Sequence, residues 1–515
     1  MLLRLSEKLG LKTNPVIFFV SAGIIGLFVP ASALFNQSMG AFFGGITTWV
    51  ATYLGWFYIL SVTSLLGFLI WIALSRYGAI RLGTDDSRPE YSNLSWFTML
   101  FAAGIGTILM FWGVAEPISH FANPPMDGVE AGTVAAAKQA LNITLYHFAL
   151  HTWTIFAMPG LAIAYFVYRH NLPPRISSIF YPVLGERAFG PIGWGIDVIA
   201  VVGTMFGVAV SLGLGTLQVN SGLSYLIGIP NNVGSQLVII SIITAAATVS
   251  VALGLDAGIK RLSETNIALA VLLLIFIFVT GPTLLLLQGT VETFGAYLTA
   301  LVPMAFWNQA FNDTGWQQNW TVFYWAWTIS WAPFVGIFVA RISRGRTIRE
   351  FVAGVLLAPV MFSILWFCVF GLSAINIELN QGGGLVEPVK DNVTVALFEF
   401  LQHFPLAQFT SGLSILIVVI FFATSADSAS LVMDMLSSGD EPNPPARQRV
   451  FWALSGGAVA GSLLVLGGFD ALQNVITTLG FPFCVLLIFM AFMLVKALRE
   501  DFAGRPLPTP HQAKK

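Results

Sequence analysis

The chain consists of one long apolar run after another, most of them close to the ~20 residues that a helix needs to cross the roughly 30 Å core of a bilayer. Of the 515 residues, 56% are hydrophobic and only 10% are charged, and the mean hydropathy is +0.79. This composition leaves too few polar residues to cover the surface of a soluble protein. The sequence therefore predicts an all-α polytopic membrane protein that lies mostly in the lipid bilayer.

Polar or charged residues separate the apolar runs clearly enough to place the spans. Twelve transmembrane helices are predicted, at 15–35, 51–74, 95–115, 140–168, 193–217, 236–254, 265–287, 320–340, 350–374, 407–435, 450–468 and 476–497. We accordingly predict a cytoplasmic N-terminus over 1–14, a transmembrane domain over 15–497 and a short cytoplasmic tail over 498–515.

The basic residues indicate which side of the membrane each loop faces. Of the 24 Lys and Arg residues, all but Lys138 and Lys390 fall near the chain ends or in alternate loops. Because basic residues gather on the cytoplasmic side, we predict that both termini are cytoplasmic and that the membrane is the plasma (inner) membrane. The net charge of −1 and the scattered basic residues give no case for binding nucleic acid.

A further apolar segment, 291–307, lies between spans seven and eight and is interrupted by Glu292 and Pro303. Its apolar residues recur with a helical period, which is typical of an amphipathic helix at the membrane interface. The alternative is a thirteenth, re-entrant segment, but the regular alternation of basic loops argues against it. We therefore predict an interfacial helix.

Two spans carry small or polar residues at membrane depth. Span three contains Gly104 and Gly106, which either let another helix pack closely or let the helix unwind so that backbone carbonyls face a ligand. Span ten contains Thr424, Ser425 and Asp427. Hydroxyl and carbonyl oxygens are hard ligands that suit a sodium ion, although Ser and Thr also join helices by plain hydrogen bonds. For each span, these residues alone allow either a role in packing the helices together or a role in binding a ligand or ion.

Span eight carries tryptophans well beyond the interface where that residue normally gathers. Trp327 and Trp331 are four residues apart and share one helical face, and Pro333 and Gly336 offer the helix a place to break. Ring faces stabilise a cation that cannot donate hydrogen bonds, such as a trimethylammonium group, by about 2 kcal/mol or more per desolvated contact. A single row of aromatic residues more often packs in the protein interior than binds a ligand, so the hypothesis of a binding site requires a second aromatic face.

Span four supplies that second aromatic face, with Phe148, Trp153 and Phe156. Two such faces in one chain favour a binding site over core packing. His147 and His151 in the same span have the spacing of a metal-ligand pair, but the sequence shows no third ligand close to them, so no metal site is predicted.

The sequence favours neither a channel nor an enzyme. It lacks the charge rings or repeated filter loop of a pore and the nucleophile elbow or phosphate-binding glycine loop of common enzymes. The intramembrane acids Glu116, Asp197 and Asp427 fall in different spans. We therefore predict a secondary carrier without catalytic residues and without a cofactor other than a coupling ion.

Together these segments resemble the betaine/carnitine/choline transporter family. The strongest match is 320–351, WTVFYWAWTISWAPFVGIFVARISRGRTIREF, with further support from AAGIGTILMFWGVAEP in span three and ATSADSAS in span ten. The resemblance implies two inverted five-helix repeats, about 95–287 and 320–497, preceded by two extra helices and working by alternating access to a midplane site. Members of the family are typically homotrimers, so a homotrimer is expected here.

The resemblance also implies the residues that bind solute and ion. The solute would contact Phe148, Trp153, Phe156, Trp325, Trp327, Thr328 and Trp331. Sodium would be held by carbonyls of Ala102, Ile105 and Phe421 and by hydroxyls of Thr424 and Ser425. The expected activity is sodium-coupled import of a methylated onium solute such as the osmoprotectant glycine betaine, or choline. The alternative is sodium-independent exchange of substrate for product, whose carriers place a basic residue at the sodium position.

Four positions depart from the family pattern. Ile108 stands where glycine betaine carriers have a third glycine, and no aspartate occurs near it as in choline carriers. Thr328 stands where a second adjacent tryptophan is usual, and Phe148 and Phe156 replace tryptophan and tyrosine. The thinner, less polar cage suggests a smaller or differently shaped cation, such as a methylamine or a sulfonium compound.

Overall fold

The computed structural model describes residues 2–103, 106–253, 256–438 and 445–504, which fold almost entirely into helices. These are α1 Leu2–Lys8, α2 Pro15–Leu34, α3 Asn36–Leu74, α4 Asn93–Ala103, α5 Thr107–Ala122, α6 Val134–Phe148, α7 Leu150–Ala164, α8 Tyr181–Leu184, α9 Pro191–Ile227, α10 Val233–Leu253, α11 Asp256–Thr280, α12 Thr283–Ala305, α13 Phe323–Ile342, α14 Ile348–Asn380, α15 Val386–Asp391, α16 Ala396–Leu401, α17 Ala407–Ser438 and α18 Ala446–Phe502. The predicted all-α fold is confirmed. The predictions for Gly104, Ile105 and the tail from 505 onward lie outside the described residues.

Among the described helices, eleven are long and apolar enough to cross a membrane, or twelve if α4 and α5, bent by 58°, count as one broken span. This confirms a polytopic membrane protein. Helix α18 has 57 residues, about 86 Å at 1.5 Å per residue, which is far longer than one span requires. Its backbone leaves the helical region at Gly467 and Gly468, and the two segments on either side match the two predicted spans.

Helix α12 corresponds to the predicted interfacial helix but has different bounds. The chain breaks at Gly281 and Pro282, so α12 begins at Thr283 rather than at 291, and span seven ends at Thr280 rather than at 287. Its Glu292 carboxylate lies 2.6 Å from the Lys138 ammonium, and both side chains are exposed. An exposed ion pair on an otherwise apolar helix is more stable near the headgroups than in hydrocarbon, so interfacial placement stays our prediction.

Local sequence signals explain several helix starts. The Asn14 side chain accepts hydrogen bonds from the backbone N–H groups of Val16 and Ile17, and Pro15 is the first helical residue of α2. Thr347 and Glu350 form a reciprocal capping box at the start of α14. These polar caps lie directly before apolar runs, which is why the run boundaries predicted the helix starts closely.

Helix α9 forms the centre of the protein and packs against α13, α17 and α18. Two of its glycines create room for neighbours: a Cβ at Gly207 would press on Ser330, and one at Gly215 would overlap the Phe422 ring. Small residues therefore let α13 and α17 approach the α9 backbone closely. These contacts put spans five, eight and ten side by side.

The helix breaks differ from the prediction in one respect. Helix α13 runs without interruption through Pro333 and Gly336, so the predicted break of span eight is wrong. Span four breaks instead at Ala149, whose φ of −106° and ψ of −119° are not helical. A proline removes one backbone hydrogen bond, and close packing against α7 and α9 keeps α13 continuous despite that loss.

Two loops on the predicted cytoplasmic side pair with each other. Leu82 N–H donates to Arg346 O, and Gly345 N–H donates to Leu82 O, both at 2.8 Å. Arg346 is buried, donates to Asn93 Oδ1 and Tyr91 O, and lies 3.9 Å from the centre of the Trp96 ring. The loops that follow spans two and eight are thus held together by backbone pairing and one buried guanidinium.

Candidate solute-binding site

Trp327 and Trp331 lie on one face of α13, as the sequence predicted, and both reach the same hydroxyl on α9. The indole N–H of Trp327 donates to Ser211 Oγ at 3.1 Å. The indole N–H of Trp331 lies 3.0 Å from both Ser211 Oγ and Gly207 O. One serine therefore fixes the orientation of two predicted solute-binding rings.

Trp325 lies on the opposite side of the helix, because two residues correspond to a turn of about 200°. Its ring stacks on His151 at 5.8 Å and meets Tyr146 edge-on at 5.2 Å, and it is fully buried. The structure therefore divides the predicted tryptophans of span eight between a face toward α9 and a face toward α6 and α7. Thr328 is also buried.

The predicted residues of span four are buried in two groups. Trp153 and Phe156 pack edge to face at 5.4 Å. Phe148, at the end of α6, stacks on Phe367 at 4.8 Å and meets Tyr324 of α13 at 5.0 Å. Tyr324 was not selected from the sequence, although it stands among the span-eight tryptophans and joins the two aromatic faces.

A small cavity of about 10 Å³ lies beside Trp327. Its lining residues are Ile108, Phe111, Ser211, Leu214, Gly215, Gln218, Trp327 and Phe422. Three aromatic rings, one hydroxyl and one amide meet there, and the described part of the chain contributes no charged side chain to the lining. The cavity is too small for a solute, so solute binding there requires it to expand.

A larger vestibule of about 540 Å³ opens on the predicted outer side, between α5, the segment 316–320 that precedes α13, residues 389–394 and α18. Trp112, Trp320 and Phe469 line it, and the Trp112 ring lies 5.9 Å from Trp320 and 6.3 Å from Phe469. The neighbouring residues Phe111 and Trp112 line the cavity and the vestibule respectively. A layer of aromatic rings therefore separates the two spaces.

The predicted sodium ligands fall on α4 and α17. Thr424 Oγ donates to Ile420 O at 2.9 Å and to Phe421 O at 3.1 Å, and a donating hydroxyl keeps its oxygen lone pairs for a cation. Ser425 and Ala102 are half-buried, and Ile105 lies outside the described residues. Hydroxyl and carbonyl oxygens of this kind are ligands that hard cations take in proteins.

One basic side chain reaches span ten from its neighbour. Arg449, near the start of α18, has Nη2 3.9 Å from Asp427 Oδ1. Asp427 is buried and lies two residues after Ser425. This basic side chain comes from span eleven, and the sequence alone did not indicate that it approaches span ten.

A buried polar cluster lies beside the vestibule and was not predicted. Glu116 Oε1 lies 2.6 Å from His147 Nδ1 and 3.4 Å from His120 Nε2, and His147 Nε2 lies 3.0 Å from Thr321 Oγ. The prediction that no further ligand lies close to His147 is therefore wrong. The neighbours of His147 that are able to bind a metal come from span three, and His151 is not one of them. The four-residue spacing of Glu116 and His120 was a signal that could have paired them.

Comparisons with known proteins agree with this architecture. A sequence profile of the betaine/carnitine/choline family transporter (BCCT) matches residues 16–503. The ectoine/glycine betaine/proline transporter EctP of Corynebacterium glutamicum is 50% identical over 504 residues, which cover 97% of this chain and 82% of that protein. The glycine betaine transporter of Acinetobacter baylyi is 44% identical over 489 residues, covering 95% and 74%. The high-affinity choline transport protein of Escherichia coli K12 is 41% identical over 496 residues, covering 95% and 73%.

Proposed function

Because the chain belongs to the betaine/carnitine/choline transporter family of solute transporters, we propose that it imports a methylated onium solute coupled to sodium. The solute class includes glycine betaine, choline and related methylamine or sulfonium compounds. The observation that carries this proposal is the cavity between Phe111, Trp327 and Phe422, to which the described residues contribute no charged side chain and which lies beneath the aromatic layer of the vestibule. The protein is a transporter and not an enzyme.

The chemistry of the cavity favours a cation that needs no hydrogen-bond acceptor. A primary ammonium buried there would leave N–H groups unpaired, at a cost of about 1–3 kcal/mol for a buried donor. A methylated onium group has no such donors and is stabilised by ring faces at about 2 kcal/mol or more per desolvated contact. The start of α5, where Ile108 lines the cavity, brings the positive end of a helix dipole to a solute carboxylate.

The other residues implied by the family resemblance remain part of the proposal as the walls of the solute path. Since Trp325 faces α6 and α7 and Trp331 faces α9, they contribute to different parts of that wall. We assign direct contact with the onium group to Trp327. The wall residues are Phe148, Trp153, Phe156, Trp325, Thr328 and Trp331.

Sodium coupling is supported by the oxygen donors of span ten. Thr424 offers a hydroxyl with free lone pairs, and its helix also presents Ser425 and the Phe421 carbonyl. Ala102 and Ile105 complete the proposed ligand set. The alternative, sodium-independent exchange, draws on the approach of Arg449 to Asp427, because a cation fixed near span ten would take the place of a coupling ion.

We further infer a homotrimer in the inner membrane with both termini in the cytoplasm. The orientation is supported by the loop charges, since Lys138 and Lys390 are the only basic residues outside the predicted cytoplasmic set. The trimer follows from family membership. Cross-linking of purified protein in lipid nanodiscs would test the trimer, and labelling of single introduced cysteines from each side would test the orientation.

The function is tested by titrating purified protein with glycine betaine, choline, carnitine, trimethylamine, trimethylamine N-oxide and dimethylsulfoniopropionate while tryptophan fluorescence is recorded in sodium and in potassium. We expect a saturable response to one onium solute that is stronger in sodium. Trp327→Leu should abolish the response, whereas Trp49→Leu, which removes an exposed indole of α3, should keep it. An equal response in both variants, or no response to any solute, would refute the proposed site.

Uptake into proteoliposomes then separates the two coupling modes. Symport predicts that replacing external sodium by potassium stops uptake, and that Thr424→Val weakens the dependence on sodium. Exchange predicts uptake that needs internal solute and ignores sodium. The second result would replace our proposal with the alternative.

A further inference from the structure

We propose that Glu116, His120 and His147 form a binding site for a zinc ion at the base of the outer vestibule. The relevant atoms, one from each side chain, all lie within 4.8 Å of one another. All three side chains are buried. Two imidazoles and one carboxylate are a ligand set that zinc takes in proteins, with a fourth ligand from solvent.

The observed spacing is close to what a tetrahedral ion requires. Zinc bonds of 2.0–2.1 Å place neighbouring ligand atoms about 3.3 Å apart. Glu116 Oε1 and His120 Nε2 are already 3.4 Å apart. Glu116 Oε1 and His147 Nδ1, at 2.6 Å, need to separate by about 0.7 Å, which a small rotation of the Glu116 side chain supplies.

The free atoms of the cluster also indicate a ligand. In the described part of the chain, Glu116 Oε2 and His120 Nε2 make no hydrogen bond despite being buried. Buried polar atoms are normally hydrogen-bonded, so an unpaired imidazole nitrogen that lies 3.4 Å from the Glu116 Oε1 atom is suited to binding an ion. Zinc would accept a lone pair from His120 Nε2 and one from Glu116 Oε1.

Surrounding groups hold the imidazoles in place. His147 Nε2 lies 3.0 Å from Thr321 Oγ, so when zinc takes the Nδ1 lone pair, the ring proton moves to Nε2 and donates to that hydroxyl. Such a second hydrogen bond is the usual partner of a zinc-bound histidine. The His120 ring packs against Trp320 at 4.4 Å and Trp316 at 5.3 Å, which restricts its orientation.

The site has an entry path from the vestibule. His120 is part of the vestibule wall together with Trp316 and Trp320, so an ion in the outer solution reaches one ligand without crossing the aromatic layer. Glu116 and His147 lie directly behind it. Hard cations such as Mg²⁺ prefer oxygen ligands, so the two nitrogens select for zinc over magnesium.

The test is isothermal titration of tag-free protein in nanodiscs with Zn²⁺, in the absence of solute, so that its result does not depend on the proposed transport function. We expect one Zn²⁺ per chain and no binding of Mg²⁺. His120→Gln should weaken zinc affinity by about 100-fold or more, since even removal of a supporting hydrogen bond typically costs 10–100-fold. His403→Gln, which removes a histidine outside the cluster on the same predicted side, should leave affinity unchanged.

A second measurement guards against misfolding of the variants. Co²⁺ replaces zinc in the unaltered protein, and its visible d–d absorption is intense in tetrahedral sites and weak in octahedral ones. A strong tetrahedral spectrum, displaced by Zn²⁺, supports the site. A weak spectrum, or zinc binding that survives His120→Gln but falls in His403→Gln, would overturn it.

Discussion

Ser211→Ala tests whether one hydroxyl orients the ring that we assign to the solute. Its Oγ accepts the indole N–H of Trp327 at 3.1 Å and lies 3.0 Å from the indole nitrogen of Trp331. Without that oxygen, Trp331 keeps Gly207 O at 3.0 Å, whereas Trp327, which is 2% exposed, loses its hydrogen-bond acceptor. Leaving a buried donor unpaired costs about 1–3 kcal/mol.

In the solute-free Ser211→Ala protein the Trp327 ring is able to turn and relieve this cost, whereas the solute-bound conformation needs the ring in the cavity and bears the cost. A cost of about 1.4 kcal/mol corresponds to a tenfold change in affinity. We therefore expect the KM for solute uptake by Ser211→Ala proteoliposomes to rise about tenfold, with a smaller effect on the maximal rate. Solute titration by tryptophan fluorescence should give the same shift in Kd.

The matched control is Ser414→Ala. Ser414 is also a buried helical serine, but among the described residues its hydroxyl bonds to Thr410 O in its own helix and to no other helix, so its loss should change KM less than about twofold. The double variant Ser211→Ala/Trp327→Phe isolates the contact, because Trp327→Phe has no N–H to leave unpaired. If Ser211→Ala raised KM by the same factor in the Trp327→Phe background as in the unaltered one, the proposed role of Ser211 in orienting Trp327 would be refuted. An unchanged KM in the single variant Ser211→Ala would refute it as well.

Three further predictions concern stability and the ends of the helices. Arg346→Lys keeps the positive charge but loses the two-pronged guanidinium that donates to Asn93 and Tyr91. The free energy of unfolding, measured by thermal unfolding, should therefore fall by about 1–2 kcal/mol. An unchanged Tm would contradict this prediction. Gly345→Ala, at φ +80° with its Cβ against the Arg88 carbonyl, should destabilise more than Gly382→Ala, at φ +92° in open space, where strain alone costs about 1–2 kcal/mol. Asp501→Asn removes the charge from the carboxylate that accepts a hydrogen bond from Arg169 Nε at 2.6 Å. Proteolysis of the C-terminal end of α18 should therefore be faster in this variant. Equal cleavage rates in the variant and the unaltered protein would show that this contact does not hold the end of α18 in place.

The apolar runs and loop charges predicted the helices well because lipid imposes a simple rule on each segment separately. A span must be apolar for about 20 residues and must satisfy its own backbone, and both conditions can be recognised locally. The bounds were less accurate where the pattern continues past a break. Span seven appeared to extend to 287 because the residues after Pro282 are again apolar.

The candidate site could be predicted only in part, because its geometry depends on contacts between helices. The shared face of Trp327 and Trp331 follows from their spacing, and so does the opposite direction of Trp325. Their common partner on α9, Ser211, has no signal in span eight. Likewise, Pro333 indicated a break that packing suppresses, and Ala149 gave no local sign of the break in span four.

The neighbours of His147 were not predicted from the sequence for the same reason. His147 and His151 have helical spacing, yet a non-helical residue lies between them, so sequence distance within one span was misleading. Glu116 reaches His147 from another span. Contacts of this kind require knowledge of how spans three and four pack.

The vestibule is large and the cavity beside Trp327 is small, and this small volume affects how the carrier responds to pressure. A cavity of about 10 Å³ must expand severalfold before it holds any solute, and hydrostatic pressure favours the state with the smaller internal void volume. Compression should therefore favour the form with the small cavity described here when the carrier is empty. A solute that fills the expanded cavity removes most of the difference in void volume between the two forms. Hydrostatic pressure should then slow solute entry at the step in which the cavity beside Trp327 expands.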